Sequence, residues 1–247
     1  VKLFICIDDT DNLDSIGTGE VLENLRTAFE AEGLAKGGFV SRHQLLVHEA
    51  IPYTSHNSAM CCQAETDNLN VLLPFCRDFM DRSCAKGSDP GLCVVLEECA
   101  GRDALIDFGK RAKREVLCKA DAFALSARFN GSVFLTEHGG TGGGVIGALA
   151  GCGLRMSGYD GRVKGKLRSV DAGRIRTAKE FCREYGLDFA LDKNHAPIPD
   201  QDTVIFRGTS KAVCWAFGKA IYLTPDETGE AQWRPFDKQE IPKRLLE

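Results

Sequence analysis

Two textures of apolar residue alternate along the chain. Short continuous runs, at Lys2 to Ile7 and Leu92 to Leu96, predict strands buried on both faces. The first runs directly into Asp8-Asp9-Thr10-Asp11, an acidic loop at a strand end. Longer stretches carry apolar residues at helical spacing. Glu20 to Glu32 places Val21, Leu25, Ala28 and Phe29 on one face, with Gly33 as the stop. Asn68 to Met80 reads as a helix, in which Pro74 is tolerable only near the first turn. Asp103 to Cys118 reads as another, with Leu105, Phe108, Ala112 and Val116 inward. Gln44 to Tyr53, Ala59 to Glu65, Ala122 to Phe129 and Ser132 to Thr136 are strand-like, and Val145 to Ala150 continues as a helix out of a glycine loop. Arg155 to Gly165 reads as irregular and Ala172 to Tyr185 as a helix closed by Gly186. Asn194 to Asp202, with Pro197 and Pro199, has the texture of a linker. Val204 to Phe206, Ala212 to Phe217 and Ala220 to Leu223, with a turn at Gly218-Lys219, then predict a small β region.

A chain of 247 residues makes one large domain or two small ones, and 43% hydrophobic with 27% charged residues supports a sizeable core. The net charge of -4 excludes nucleic-acid binding by the molecule as a whole and leaves only a local patch. The densest basic run is Arg155, Arg162, Lys164, Lys166 and Arg168, which suits a polyphosphate, an RNA backbone or a mobile gating loop. No apolar run reaches the roughly 20 residues that cross a bilayer, and Val1 to Ile7 lacks a signal-peptide pattern. A cytoplasmic location is the expectation. The 11 cysteines include no CxxC pair, so buried free thiols are expected rather than a zinc ribbon or a disulfide framework; Cys6, Cys93, Cys118 and Cys214 sit in apolar surroundings.

Three carboxylates in four positions repel one another unless a cation or hydrogen-bond donors neutralise them. Mg2+ favours such hard oxygen ligands and offsets phosphate charge in phosphoryl transfer. The same residues would also serve as an acidic turn capping the next helix. His138-Gly139-Gly140-Thr141-Gly142-Gly143-Gly144 follows a strand and precedes a helix, an arrangement that lets the backbone approach a phosphate. Gly142, Gly144 and Gly147 satisfy GxGxxG, a weak pattern by itself, and no Walker A lysine follows. His138 would orient a phosphate or simply end a strand. His56-Asn57-Ser58 offers donors for a ribose or base, or an ordinary turn. His43 and His48 lie on opposite faces of one predicted strand, which argues against a shared metal. His195 falls in the linker without an assigned role.

The chain resembles the archaeal tRNA-isoleucine agmatinylcytidine synthetase family at four places in the same order. These are Ile7-Asp8-Asp9-Thr10-Asp11 with Thr18 before a helix, Ile51-Pro52-Tyr53 with His56-Asn57-Ser58-Ala59, Asp89-Pro90-Gly91-Leu92, and Gly144 to Ala150. The resemblance covers roughly residues 1–160. It implies a mixed α/β (α+β) fold: a kinase-like domain from 1–58 and 99–193, part of a ferredoxin-like domain at 59–98, and a linker with a small β region at 194–247. It implies ATP and Mg2+ as cofactors, Asp8, Asp9 and Asp11 as metal-holding catalytic residues, and Thr18 as the hydroxyl that such kinase domains phosphorylate in themselves. Thr10, His138, Gly139, Gly140, Thr141, Gly142, Gly143, Gly144 and Gly147 would bind nucleotide phosphates; His56, Asn57, Ser58, Arg162 and Lys164 would meet substrate. The family activates the carbonyl oxygen of a tRNA wobble cytidine with ATP and displaces it with agmatine. Here its threonine pair is reduced to Thr18-Gly19, its ribbon cysteines are missing, and the stretch after residue 200 is short for its OB-fold.

The first functional expectation is therefore an ATP- and Mg-dependent phosphotransferase acting on RNA or another nucleotide-like acceptor. A non-catalytic nucleotide- or RNA-binding relative is the alternative. A haloacid-dehalogenase-like phosphatase is a third, because Asp9 and Asp11 have the DxD spacing, although Asp8 replaces the usual apolar neighbour. Oligomeric state stays open.

Overall fold

The structure, a computed structural model, describes residues 1–53 and 56–242. The chain falls into two compact units, Val1–Ser157 and Gly158–Glu247.

The first unit is built on five strands: β1 (Lys2–Asp8), β2 (Lys36–Gln44), β3 (Ser58–Glu65), β4 (Gly91–Leu96) and β5 (Val133–Glu137), in the order β5-β4-β1-β3-β2. Every neighbouring pair is antiparallel. Antiparallel sheets often leave one face to solvent, but both faces here are covered. On one side lie α1 (Thr18–Ala31) and α2 (Leu69–Ser83), packed on Leu3, Ile5 and Ile7. On the other lie α3 (Arg102–Ala112), α4 (Lys119–Ser126) and α5 (Val145–Met156), packed on Phe4 and Cys6. Successive side chains of a strand point to opposite faces. The unbroken apolar run of β1 thus supplies two cores at once, which is why it does not alternate.

The segment 59–98 brings in β3 and β4, and both are hydrogen-bonded to β1. The expected ferredoxin-like segment therefore shares a single sheet with the flanking kinase-like segments. The compact units divide at 157/158, rather than at 58/59, 98/99 and 193/194.

Several local expectations are corrected. Residues 45–53 are irregular, so His43 lies in β2, which ends at Gln44, while His48 lies beyond it. α3 stops at Ala112, whose carbonyl accepts from the Leu46 N–H, and the chain then leaves helical geometry with Val116 exposed. Residues 119–126 form a helix, not a strand: the Asp121 carboxylate accepts from the Cys118 N–H at 2.9 Å, a cap that outweighs the β-like pattern. Pro74 sits in the second turn of α2, beyond the first turn expected of it, and on the exposed side of the helix. Arg155, expected in an irregular basic stretch, is buried in α5, with Nη2 donating to Gln63 Oε1 at 2.9 Å and the guanidinium 4.7 Å from the Phe39 ring.

The second unit carries β6 (Arg162–Val163), β7 (Leu167–Arg168), β8 (Ile175–Thr177), α6 (Ala178–Tyr185), β9 (Phe189–Leu191), β10 (Thr203–Ile205), β11 (Thr209–Ser210), β12 (Val213–Trp215), β13 (Gly218–Pro225) and β14 (Trp233–Pro235). Strands run in the order β6-β12-β13-β14-β10-β8; β9 joins β13, and β7 pairs with β11. The predicted helix 172–185 is shortened because Thr177 and Glu180 form a reciprocal capping box, leaving 175–177 to pair with β10. Gly186 ends α6 in the left-handed conformation, as predicted. The β12–β13 hairpin turns at Ala216-Phe217, both at positive φ, rather than at Gly218-Lys219. His195, given no role from sequence, stacks on Trp215 at 4.9 Å and hydrogen-bonds the Tyr222 hydroxyl at 2.7 Å.

The cysteines are free, and most are buried as expected; Cys118 is exposed. No helix among the described residues is long and apolar enough to cross a membrane.

Candidate active site

Antiparallel pairing gathers the chemistry at one edge of the first unit's sheet. Asp8 at the end of β1 pairs with Gly91 at the start of β4, and Gly91 pairs with Glu137 at the end of β5. On the other side, Ser58 at the start of β3 pairs with Gln44 at the end of β2. The acidic loop, Asp89, the glycine loop and His56-Asn57-Ser58 therefore emerge side by side. They line a cleft that is partly open to solvent.

One end of the cleft is anionic, with Asp8, Asp9, Asp11 and Asp89. Burial pushes the Asp8 carboxyl up to about 8, and the charges of Asp9 and Asp11 add to the shift. Burial raises Asp9 to about 6, assisted by Asp89 and Asp11. Asp9 has φ 53°, a left-handed conformation that Asp tolerates better than most residues. Thr18, the first residue of α1, is buried, and its hydroxyl donates to Asp11 Oδ1 at 2.6 Å. Thr10 turns away from the cleft wall and its hydroxyl donates to Thr18 Oγ1 at 3.2 Å.

The facing wall is the start of α5. A β-carbon on Gly144 would fall 2.7 Å from the Asp8 carbonyl oxygen and 2.6 Å from that of Asp89, and one on Gly91 would fall 2.2 Å from the Gly144 carbonyl carbon. Strand ends and helix start thus interlock through bare backbone. Thr141, Gly143, Gly144 and Gly147 line the cleft, whereas His138, Gly139, Gly140 and Gly142 do not. His138 is held by Asp81 at 2.6 Å and Thr136 at 2.8 Å. Several loop amides are committed internally. The Thr141 N–H donates to the Asp89 carboxylate, the Gly142 N–H to the Gly139 carbonyl at 3.0 Å, and the Gly144 N–H to the Asp89 carbonyl at 2.8 Å.

At the other end, Leu45, Ile51, Pro52, Leu117 and Ile146 form an apolar wall beside Tyr53, with Glu115 also lining the cleft. His56 is exposed there. Asn57 and Ser58 are partly engaged: the Asn57 side chain donates to the Leu46 carbonyl at 2.6 Å, and Ser58 Oγ accepts from Arg42 at 3.0 Å. Arg162 and Lys164 belong to the second unit.

Sequence reading missed Asp89 and Glu115 as site residues. Asp89 was legible in principle, since it stands before Pro90-Gly91 at the opening of a buried strand, as Asp8 stands at the close of one. Glu115 carried no signal, because it was assigned to a helix that ends before it.

Asp8, Asp9, Asp11 and Asp89 all line the cleft, and carboxylate oxygens are the ligand type that a hard divalent cation takes.

No family model matches the sequence and no curated protein matches it. Solved structures do. A tRNA fluorescent labeling enzyme aligns with TM-score 0.54 and 23% identity over 76% of this chain and 45% of its own. Apo TiaS, an agmatidine synthetase of isoleucine tRNA, aligns with TM-score 0.55 and 21% identity over 76% and 44%. TiaS bound to tRNA and ATP aligns with TM-score 0.55 and 22% identity over 81% and 50%. The chain spans half or less of the length of these structures. Over the matched part, the chain has the mixed α/β fold of the TiaS agmatidine synthetase structures.

Proposed function

We propose that the cleft binds ATP with Mg2+ and transfers a phosphoryl group, first to Thr18 or directly to an oxygen of an RNA or nucleotide-like acceptor. The carrying observation is the group of Asp8, Asp9 and Asp89 in the cleft, where burial and neighbouring charges push the Asp8 and Asp9 carboxyls upward, facing the bare backbone at the start of α5. Such a cluster favours occupancy by a cation that also draws in phosphates. The apolar wall at Leu45, Ile51 and Leu117 would take the base.

Mg2+, when bound, offsets charge on the phosphates during transfer. Asp8 and Asp9 would hold it, with Asp89 alongside. Asp11 plays a different part. It already accepts the Thr18 proton in a 2.6 Å hydrogen bond, so it would receive that proton as the Thr18 oxygen attacks the γ-phosphorus. The bond from that phosphorus to the β–γ bridging oxygen breaks, and ADP leaves with the electron pair. Residues at the Gly143–Gly147 turn shape the phosphate end by steric allowance, since neighbouring loop amides already have acceptors. The fold shared with TiaS bound to tRNA and ATP supports an RNA acceptor and ATP as donor.

Incubation with ATP and Mg2+ followed by peptide mass spectrometry tests the reading. A phosphate on Thr18, missing in Asp9→Asn, supports it. Tight ATP binding by calorimetry without phosphate on Thr18 and without ATP consumption, with or without RNA, would replace the enzyme by a nucleotide-binding protein. A phosphate trapped on Asp9 would point to the phosphatase chemistry instead.

A further inference from the structure

Behind the cleft, on the opposite side of α5 from solvent, three thiols converge. Cys6 comes from β1, Cys61 from β3 and Cys152 from α5. Their sulfur atoms all lie within 4.8 Å of one another, and each residue is fully buried. Cys6 and Cys61 are directly opposed in the β1–β3 register. Cys152 closes the triangle from above, its thiol reaching the Cys93 carbonyl at 3.6 Å. The convergence is specific to the fold, since the three positions are far apart in sequence and share no motif.

We propose that Cys6, Cys61 and Cys152 form a binding site for one soft, thiophilic metal ion of the Zn2+ class.

Three thiolate sulfurs about 2.3 Å from a central ion stand about 4 Å apart, so the triangle needs to contract by less than an ångström. Binding a dication requires the three thiols to give up their protons. Three thiolates around a dication leave one net negative charge, and the Arg155 guanidinium, buried three residues beyond Cys152 on α5, supplies the compensating positive charge.

The ion would tie β1 and β3 to α5 immediately behind Asp8 and Gly147. It would fix the strand–helix register on which the cleft depends. Its site is separate from the carboxylate cluster and uses different chemistry.

The test uses the whole chain with Cys84→Ser, Cys118→Ser and Cys182→Ser, which removes the thiols that reach solvent. It is expressed in Zn-supplemented medium and purified under reducing, chelator-free conditions. We expect one Zn2+ per chain by elemental analysis, exchange for Cd2+ with an ultraviolet sulfur-to-cadmium charge-transfer band, and a 113Cd resonance in the thiolate-only range. Cys61→Ala in that background should lower affinity by more than about 100-fold while retaining the native circular dichroism. Should Cys61→Ala fail to fold, the stoichiometry and 113Cd resonance of the parent decide. A parent that carries no metal, or metal retained at full affinity in folded Cys61→Ala, overturns the proposal.

Discussion

The carboxylate of Asp8 occupies the space that any side chain at position 147 would need. A β-carbon on Gly147 would fall 1.6 Å from Asp8 Oδ2. The glycine at the third place of the GxGxxG pattern is thus explained by a neighbouring acid, without reference to a dinucleotide.

Gly147→Ala should accordingly displace Asp8 while leaving the rest of the fold in place. Overpacking of this kind costs about 1–3 kcal/mol. We expect ATP turnover to fall by at least about tenfold, through misplacement of a reacting group, together with a lower melting temperature. Steady-state kinetics beside a thermal melt would check both; wild-type turnover in Gly147→Ala would remove Asp8 from the chemistry.

The raised carboxyl groups predict an unusual pH dependence. The folded pKa of Asp8 is about 8 against an ordinary value of 3.8. Between those values the folded protein binds more protons than the unfolded chain, so metal-free stability should fall as pH rises from about 4 to about 8. Mg2+ should reverse the trend by raising the melting temperature at pH 8 more than at pH 5. Asp8→Asn should raise the metal-free melting temperature at pH 8 by roughly 2–4 °C for each kcal/mol of repulsion removed. A metal-free melting temperature that climbs steadily towards pH 8 would contradict the raised Asp8 carboxyl.

Asp9 combines an ionisable group with a left-handed backbone, so the choice of substitution matters. Asn tolerates φ 53° about as well as Asp, whereas Ala adds backbone strain. Asp9→Asn should fold normally and lose at least about 100-fold in ATP turnover, within the range for removal of an electrostatic transition-state contact. Circular dichroism and turnover measured on the same sample would separate the two effects.

Thr18 ties the acidic loop to α1 through Asp11 and Thr10. Thr18→Ala should cost about 1 kcal/mol in stability and abolish any phosphate acquired at that position. Thr18→Ser should restore both. A phosphate that persists elsewhere in Thr18→Ala would name a different acceptor.

Much of this was legible in the residues. Local chemistry identified β1, α1, the acidic loop and the glycine loop, because a doubly buried strand, an amphipathic helix and a glycine run each have a strong local signature. Several of the differences arise from long-range contacts. Residues 113–118 leave helical geometry where the Leu46 N–H takes the Ala112 carbonyl, a partner 66 positions away. Local sequence left His138 between a phosphate ligand and a strand-end residue, and its partner Asp81 comes from α2, 57 positions away. Asp89 joins Asp8 only because β1 and β4 run antiparallel. The capping residues at 118–121 and 177–180 were readable but were outweighed by apolar periodicity.

The interlock of Gly91 with Gly144 divides the cleft by mechanical role. With no side chains between them to shear or repack, the ends of β1 and β4 and the start of α5 move as one piece. Under the proposed function, the phosphate end would be a fixed anvil. Adjustment to different acceptors would fall to the opposite rim, the irregular chain at 45–53 and 113–117. Divergence in substrate preference within this architecture would be written in those two stretches, while the glycines stay as they are.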